Sequence, residues 1–208
     1  MVQFYKANPR VTGTACSFWV NADGSIMASL IKQASWDDKK RTGSFHANKD
    51  NPKGRVIVKL SPSEVGGIID TIESNREVST YHSSQNQVLQ IKFGAYIDKK
   101  TSEQKGFSFS VNKQDKSDTT NKVGFIIGFT YAEARYLKEY LSFTLNYGFE
   151  NKLKEILAKS GNYKKPETPE QTNSVSQQKV DINFEIFSTN YDHNYGYLIA
   201  NSHIIQGQ

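Results

Sequence analysis

Ten side chains supply the two kinds of contact that a chain of phosphates and flat heterocycles requires. Lys32, Lys39, Lys40, Arg41, Lys92 and Lys113 are cations able to meet phosphates, and Trp19, Trp36, Phe45 and Tyr96 are flat rings able to stack on bases. Stacking on a ring is worth about 1–3 kcal/mol per base and accepts any base, because every base has a π face. Trp36 is the strongest candidate, since a tryptophan inside the charged connection WDDKKRT (Trp36–Thr42) has no obvious core to fill. Lys92 follows. On its strand Leu89, Ile91 and Phe93 share one face, which leaves Val88, Gln90 and Lys92 on the other. Trp19 falls opposite Cys16, Phe18 and Val20, and periodicity alone does not decide which of the two sets is accessible. The ordinary alternatives are a core role for strand aromatics, the reading given to Phe18, Phe93 and Phe125, and a solvated turn for Lys39–Arg41.

No catalytic constellation accompanies these residues. The single cysteine, Cys16, excludes an internal disulfide and a cysteine-based zinc site, and reads as a small buried residue. The histidines His46, His82, His193 and His203 have no metal-ligand spacing. Val65-Gly66-Gly67 lies inside a predicted helix and lacks the spacing of a phosphate loop. Asp37-Asp38 stands beside three cations and reads as a solvated loop, and Asp192-His193 has no third partner. A non-enzymatic protein without metal or cofactor is expected.

Charge supports a polyanionic partner. Residues 1–60 carry a net +6, residues 61–160 a net +1 and residues 161–208 a net −2. No apolar run approaches the roughly 20 residues of a membrane helix, and Met1–Arg10 has no signal-peptide core. A cytoplasmic or nucleoid-associated protein without membrane contact is expected.

The elements that must position these side chains repeat. Thr14–Val20, Ser25–Gln33, Gly43–Ala47 and Arg55–Leu60 read as strands, the first two joined by an Asp-Gly turn. Ser61-Pro62-Ser63-Glu64 is then a capping box with proline at the first helical position, and Val65, Ile68, Ile69 and Ile72 form one helix face. Gly66 and Gly67 inside that helix point to close approach, to the sheet or to a neighbouring subunit. Glu77–Ser83, Val88–Ile97, Gly106–Lys113 and Lys122–Phe129 read as four further strands. A second capping box, Thr130-Tyr131-Ala132-Glu133, follows 69 residues after the first. Its helix buries Ala134, Leu137, Leu141 and Leu145 and runs towards Lys159, with a candidate break at Gly148. The fold class is α+β: two tandem ββββα units, about 10–75 and 76–159, in a domain spanning 1–159. Residues 160–179 read as a flexible linker, and 180–208 as a tail forming a strand or hairpin, or one that orders on a protein partner.

At Leu60-Ser61-Pro62-Ser63-Glu64-Val65-Gly66 the sequence resembles the Whirly family of single-stranded-DNA-binding proteins. The similarity takes in Trp36–Arg41, Tyr81-His82, Phe107–Asn112 and Phe129–Glu133, and covers about residues 10–158. The resemblance implies two antiparallel sheets held together by two helices, and a propeller-like homotetramer with the helices at its centre, a dimer being the alternative. It also implies binding of single-stranded DNA along the sheets with little sequence preference, in replication, recombination or transcription. One departure is clear. The family's plant members carry Lys-Gly-Lys-Ala-Ala-Leu where this chain has Thr12-Gly13-Thr14-Ala15-Cys16-Ser17, so higher-order assembly ascribed to that stretch is not carried over. RNA binding is an alternative, as is a non-catalytic structural or assembly module that uses the fold only to oligomerise.

Overall fold

The computed structural model describes residues 1–118 and 120–160; the expected tail, and the expected linker apart from Ser160, lie outside the described residues. Two four-stranded antiparallel meanders make up the body. The first orders β1 (Val2–Lys6), β2 (Thr14–Val20), β3 (Ile26–Lys32) and β6 (Arg55–Leu60); the second orders β10 (Lys122–Phe129), β9 (Gln104–Asp115), β8 (Gln87–Ile97) and β7 (Val78–Ser83). Helix α1 (Pro62–Ser74) follows the first meander and α2 (Tyr131–Lys159) the second. The architecture is the α+β pair of sheets with two helices that the sequence implies. Among the described residues no helix is long and apolar enough to cross a membrane.

Two strand assignments differ from expectation. The first meander opens with β1, upstream of the expected start near residue 10. Val2 and Phe4 point inward and are buried, Phe4 meeting Phe129 edge-on at 4.9 Å between ring centroids. The expected third strand, Gly43–Ala47, is not in the sheet. β3 pairs directly with β6, from Ile26↔Leu60 to Ile31↔Arg55, which buries the alternating apolar sets of both strands. Thr42–Ser44 has no apolar side chain to bury; as β5 it instead pairs with β4 (Ser35–Asp37) in a separate two-stranded ribbon. The two units therefore match strand for strand as β1, β2, β3, β6 against β7, β8, β9, β10.

The ribbon is tied to the body by Gln33, whose amide nitrogen donates to the Asn8 and Ser35 carbonyls at 2.9 Å and whose oxygen accepts from Asn8 N at 2.9 Å. Glycines stand on either side. A Cβ on Gly13 would lie 2.2 Å from the Lys6 carbonyl, and one on Gly43 2.8 Å from the Gln33 amide nitrogen.

Both capping boxes form as expected. Ser61 and Thr130 accept from the amides of Glu64 and Glu133, and each glutamate bonds back to its cap residue. Each glutamate also reaches the first strand of the other unit. Glu64 bonds Thr80 at 2.6 Å and His82 at 2.7 Å on β7, and Glu133 pairs with Lys6 on β1 at 2.5 and 2.7 Å. The helices thus cross-link the units. Gly67 approaches the sheet, where a Cβ would meet Val78 Cγ2 at 2.8 Å, whereas Gly66 faces open space in the protomer. At Gly148 α2 runs on unbroken to Lys159.

The core lies between the sheets and under the helices. Phe18, Phe93 and Phe125 are in it, as alternation predicts, with Phe18 and Phe109 5.6 Å apart across the sheets. Cys16 is buried too, and burial pushes its thiol well above the ordinary value, which makes it a poor nucleophile.

Candidate nucleic-acid interface

Because strand side chains alternate, burying one set fixes the other on an outward face. On the first sheet the outward rows are Tyr5–Ala15–Ile31–Arg55, Gln3–Ser17–Ser29–Ile57 and Trp19–Met27–Lys59. The middle is floored by the small residues Ala15, Ser17 and Ser29. Tyr5 and Phe45 overhang it, their rings 6.0 Å apart and tilted 59°. With His46, Lys49 and Arg55 they enclose a groove of about 230 Å³. Arg55 Nε donates to Ser29 Oγ at 3.1 Å and Nη1 to the Lys49 carbonyl at 3.1 Å, holding the guanidinium over the strands. The question left by periodicity at Trp19 is resolved. Cys16 and Phe18 go inward with the partly buried Val20, and Trp19 sits half-exposed on the outward side, its Nε1 donating to Asn21 Oδ1 at 2.8 Å.

The second sheet repeats the plan. Its outward rows are Tyr81–Gln90–Asn112–Gly124, Ser79–Lys92–Ser110–Ile126 and Gly94–Ser108–Gly128. Matching β6 to β10 through the capping boxes sets Tyr5 against Tyr81, Ser29 against Ser110 and Ile57 against Ile126. The paired tyrosines are 61% and 66% exposed, and both isoleucines are exposed as well. Each sheet therefore presents an exposed tyrosine on its first strand and an exposed isoleucine on its last, at opposite edges of the outward face. Lys92 lies on this face as its strand alternation dictates, in a 2.8 Å ion pair with Glu77. Tyr96 is exposed beyond it. Together with Lys6 and Lys105 it lines a hollow of about 440 Å³ where β10 passes β1.

The remaining candidates lie elsewhere. Trp36 is half-buried on the ribbon opposite Gly43, and Lys39, Lys40 and Arg41 are exposed at the ribbon's turn. Asp37 closes that turn by accepting from the amides of Lys39 and Lys40 at 2.9 and 3.0 Å, so this carboxylate is occupied structurally. Lys32 points to the inner side of the first sheet, in register with Thr14 and Lys6, and its Nζ lies 4.9 Å from the Phe125 ring centroid. Lys113 is likewise on an inner row, between Leu89 and Val123. These two lysines line adjoining clefts of about 450 and 190 Å³, with Lys53 common to both. Trp19 and Phe45 therefore share one outward face, Lys92 and Tyr96 the other, and Lys32 and Lys113 stand apart from both.

Sequence reasoning missed Tyr5, Tyr81, Lys49, Arg55 and Lys59 as outward-face residues. Tyr5 follows once Val2 and Phe4 are recognised as an inward pair. Tyr81 carries little signal, because its strand alternates Val78, Thr80 and His82 with Ser79, Tyr81 and Ser83, which contrast weakly in polarity.

The glutamates beside these faces are shifted. Burial raises the Glu64 carboxyl, but hydrogen bonds from Thr80, the Ser61 amide and His82 outweigh it and hold the group below the usual carboxylate range. Burial acts the same way on Glu133, where bonds from Lys6 and the Thr130 amide prevail. Among the described residues no group of three or more His, Cys, Asp or Glu side chains is placed to hold a metal ion.

No protein-family model matches this sequence, and no curated protein matches it. Solved structures do. WHY1 from Arabidopsis thaliana is similar with a TM-score of 0.51 and 15% identity, over 79% of this chain and 94% of that one. WHY3 from Arabidopsis thaliana is similar with a TM-score of 0.52 and 14% identity, over 77% and 94%. The plant transcriptional regulator PBF-2 is similar with a TM-score of 0.51 and 16% identity, over 78% and 96%. The fold of this chain is the Whirly fold, matched over nearly the whole length of those structures.

Proposed function

We propose that this protein binds single-stranded DNA along the outward faces of its two sheets, with little sequence preference at most positions. The observation that carries this reading is the repeated face: an exposed tyrosine on one edge strand and an exposed isoleucine on the other, once per sheet, with cations alongside. Tyr5 and Tyr81 stack on bases, Trp19, Phe45 and Tyr96 extend the platforms, and Lys49, Lys59 and Lys92 meet phosphates, with Arg55 held inside the first groove. The ribbon adds Trp36, Lys39, Lys40 and Arg41. Lys32 and Lys113 act through their clefts. The role is binding rather than catalysis: coating and protecting single strands exposed in replication, recombination or transcription.

Self-association, as a tetramer, belongs to the helices. α2 leaves Tyr136, Phe143 and Tyr147 exposed, the last two stacked with centroids 6.3 Å apart, and Gly66 on α1 has open space before it. An apolar surface of this kind is what a helix-to-helix contact between copies requires.

Titration of fluorescent mixed-sequence oligonucleotides at two salt concentrations tests the reading. Binding should weaken with salt by a log-log slope of about 0.7 per phosphate contact. Absence of binding at low salt, or tighter binding to duplex, would refute it. Matched RNA oligomers run in competition decide between the two nucleic acids, and tighter binding of RNA would reassign the ligand. Sedimentation of the Phe143→Glu variant should show smaller particles; unchanged sedimentation would remove the helices from the assembly.

A further inference from the structure

Resting on that reading, we infer that the groove on the first sheet is not indifferent to the base it holds: it selects a base that presents two adjacent hydrogen-bond acceptors. The groove is flanked by the rings of Tyr5 and Phe45 and floored by Ala15, Ser17 and Ser29. Its shape suits a flat heterocycle. A phosphate would be better met by the exposed Lys49 at the rim. Arg55 is the polar group that distinguishes this groove. A guanidinium has five N–H donors in a planar fork and accepts nothing. Two are spent on Ser29 Oγ and the Lys49 carbonyl, both at 3.1 Å, and among the described residues no carboxylate pairs with it. The two bonds fix the plane of the fork, and among the described residues the donors left over have no acceptor.

A fixed donor pair discriminates. Guanine offers O6 and N7 side by side, the commonest partner of a bidentate arginine. Unpaired cytosine offers O2 and N3. Adenine sets its 6-amino donor beside N1 and N7 and leaves N3 alone, and thymine puts N3–H between O2 and O4, so neither offers two adjacent acceptors and one of the two bonds is lost. The second sheet has no such selector. Its residue at the place of Arg55 is Gly124, in the row of Tyr81, Gln90 and Asn112. The two faces thus divide the work: one tolerates any base, and the other prefers guanine and cytosine.

Equal-length thymidine oligomers carrying guanine, adenine, cytosine or 7-deazaguanine at evenly spaced positions, titrated against the wild-type protein, test this. Guanine should bind roughly fivefold or more tighter than adenine, and cytosine tighter than thymine, at the low end of what one bidentate contact supplies. The guanine–adenine and cytosine–thymine comparisons hold ring size fixed, so stacking does not account for either ratio. 7-Deazaguanine, which lacks N7, should fall to the level of adenine. In Arg55→Lys, which keeps the charge but not the fork, both ratios should approach one. Binding of all oligomers with equal affinity by the wild type would overturn the selection while leaving single-strand binding intact. Ratios unchanged in Arg55→Lys, or 7-deazaguanine matching guanine, would overturn the assignment to Arg55. Failure to bind any oligomer would refute the underlying function and this inference with it.

Discussion

Replacing Tyr5 and Tyr81 by alanine, singly and together, probes the repeated face at its two matched points. Both rings are largely exposed, and their hydroxyls bond only to exposed neighbours, Tyr5 to Gln3 Oε1 at 3.0 Å and Tyr81 from Gln90 Nε2 at 2.9 Å. Truncation removes little core packing and should change stability by about 0.5 kcal/mol or less. Each lost stacking platform costs about 1–3 kcal/mol of binding, roughly five- to 150-fold in Kd. The tyrosines lie on different sheets, so the two losses should add in the double variant. The salt slope should hold, because no phosphate contact is removed. Fluorescence anisotropy with a thymidine oligomer gives the affinities, and thermal melting shows whether the fold is intact. Tyr5→Phe and Tyr81→Phe should bind nearly as wild type, since the ring is retained. A double alanine variant that melts normally and binds within twofold of wild type would refute stacking on these faces.

Three further perturbations follow from the same geometry. Glu64→Gln and Glu133→Gln keep a residue type that completes a capping box but remove a carboxylate whose folded-state pKa is lowered. The lowered pKa values contribute stability above the ordinary value of 4.5 that is lost as pH falls through the folded values. Acid melting curves should therefore flatten below about pH 4.5 in the variants, and an unchanged acid limb would contradict the cross-links. Lys39→Gln with Lys40→Gln should reduce the salt slope of binding by about 1.4, two contacts' worth for a single strand; an unaltered slope would take the ribbon turn out of the interface. Gly67→Ala drives a methyl group to 2.8 Å from Val78 and should lower stability by about 1–3 kcal/mol, whereas Gly148→Ala, with nothing within 4 Å, should raise it by about 1 kcal/mol. Chemical denaturation measures both, and the reverse order would contradict the helix placement.

The parts of the fold written in local chemistry were legible in the sequence. Ser61 with Glu64 and Thr130 with Glu133 mark helix starts by residue type alone, and Phe107, Phe109 and Val111 show their inward face by strict alternation. β1 was not legible, because five residues with one apolar pair give too short a period to separate from a tail. The ribbon was misread as a sheet strand, since whether Thr42–Ser44 pairs with β6 or folds back on Ser35–Asp37 depends on β3 meeting β6, a contact between residues far apart in sequence. The site follows the same division. Lys92 was placed by its own strand. Lys32 was not: its charge suggests an outward position, but alternation along β3 turns it inward, where its ammonium rests against Phe125 at the margin of the core. Arg55 reads only as the start of a strand until Ser29 and Lys49 are brought beside it.

The most direct test of the central claim is a crystal structure of the full chain with a short oligothymidine. The account predicts bases stacked on Tyr5 and Tyr81, with the strand running along the outward faces of both sheets. An oligomer confined to the clefts of Lys32, Lys53 and Lys113 or lying along the helices, with both tyrosines bare in either case, would contradict it.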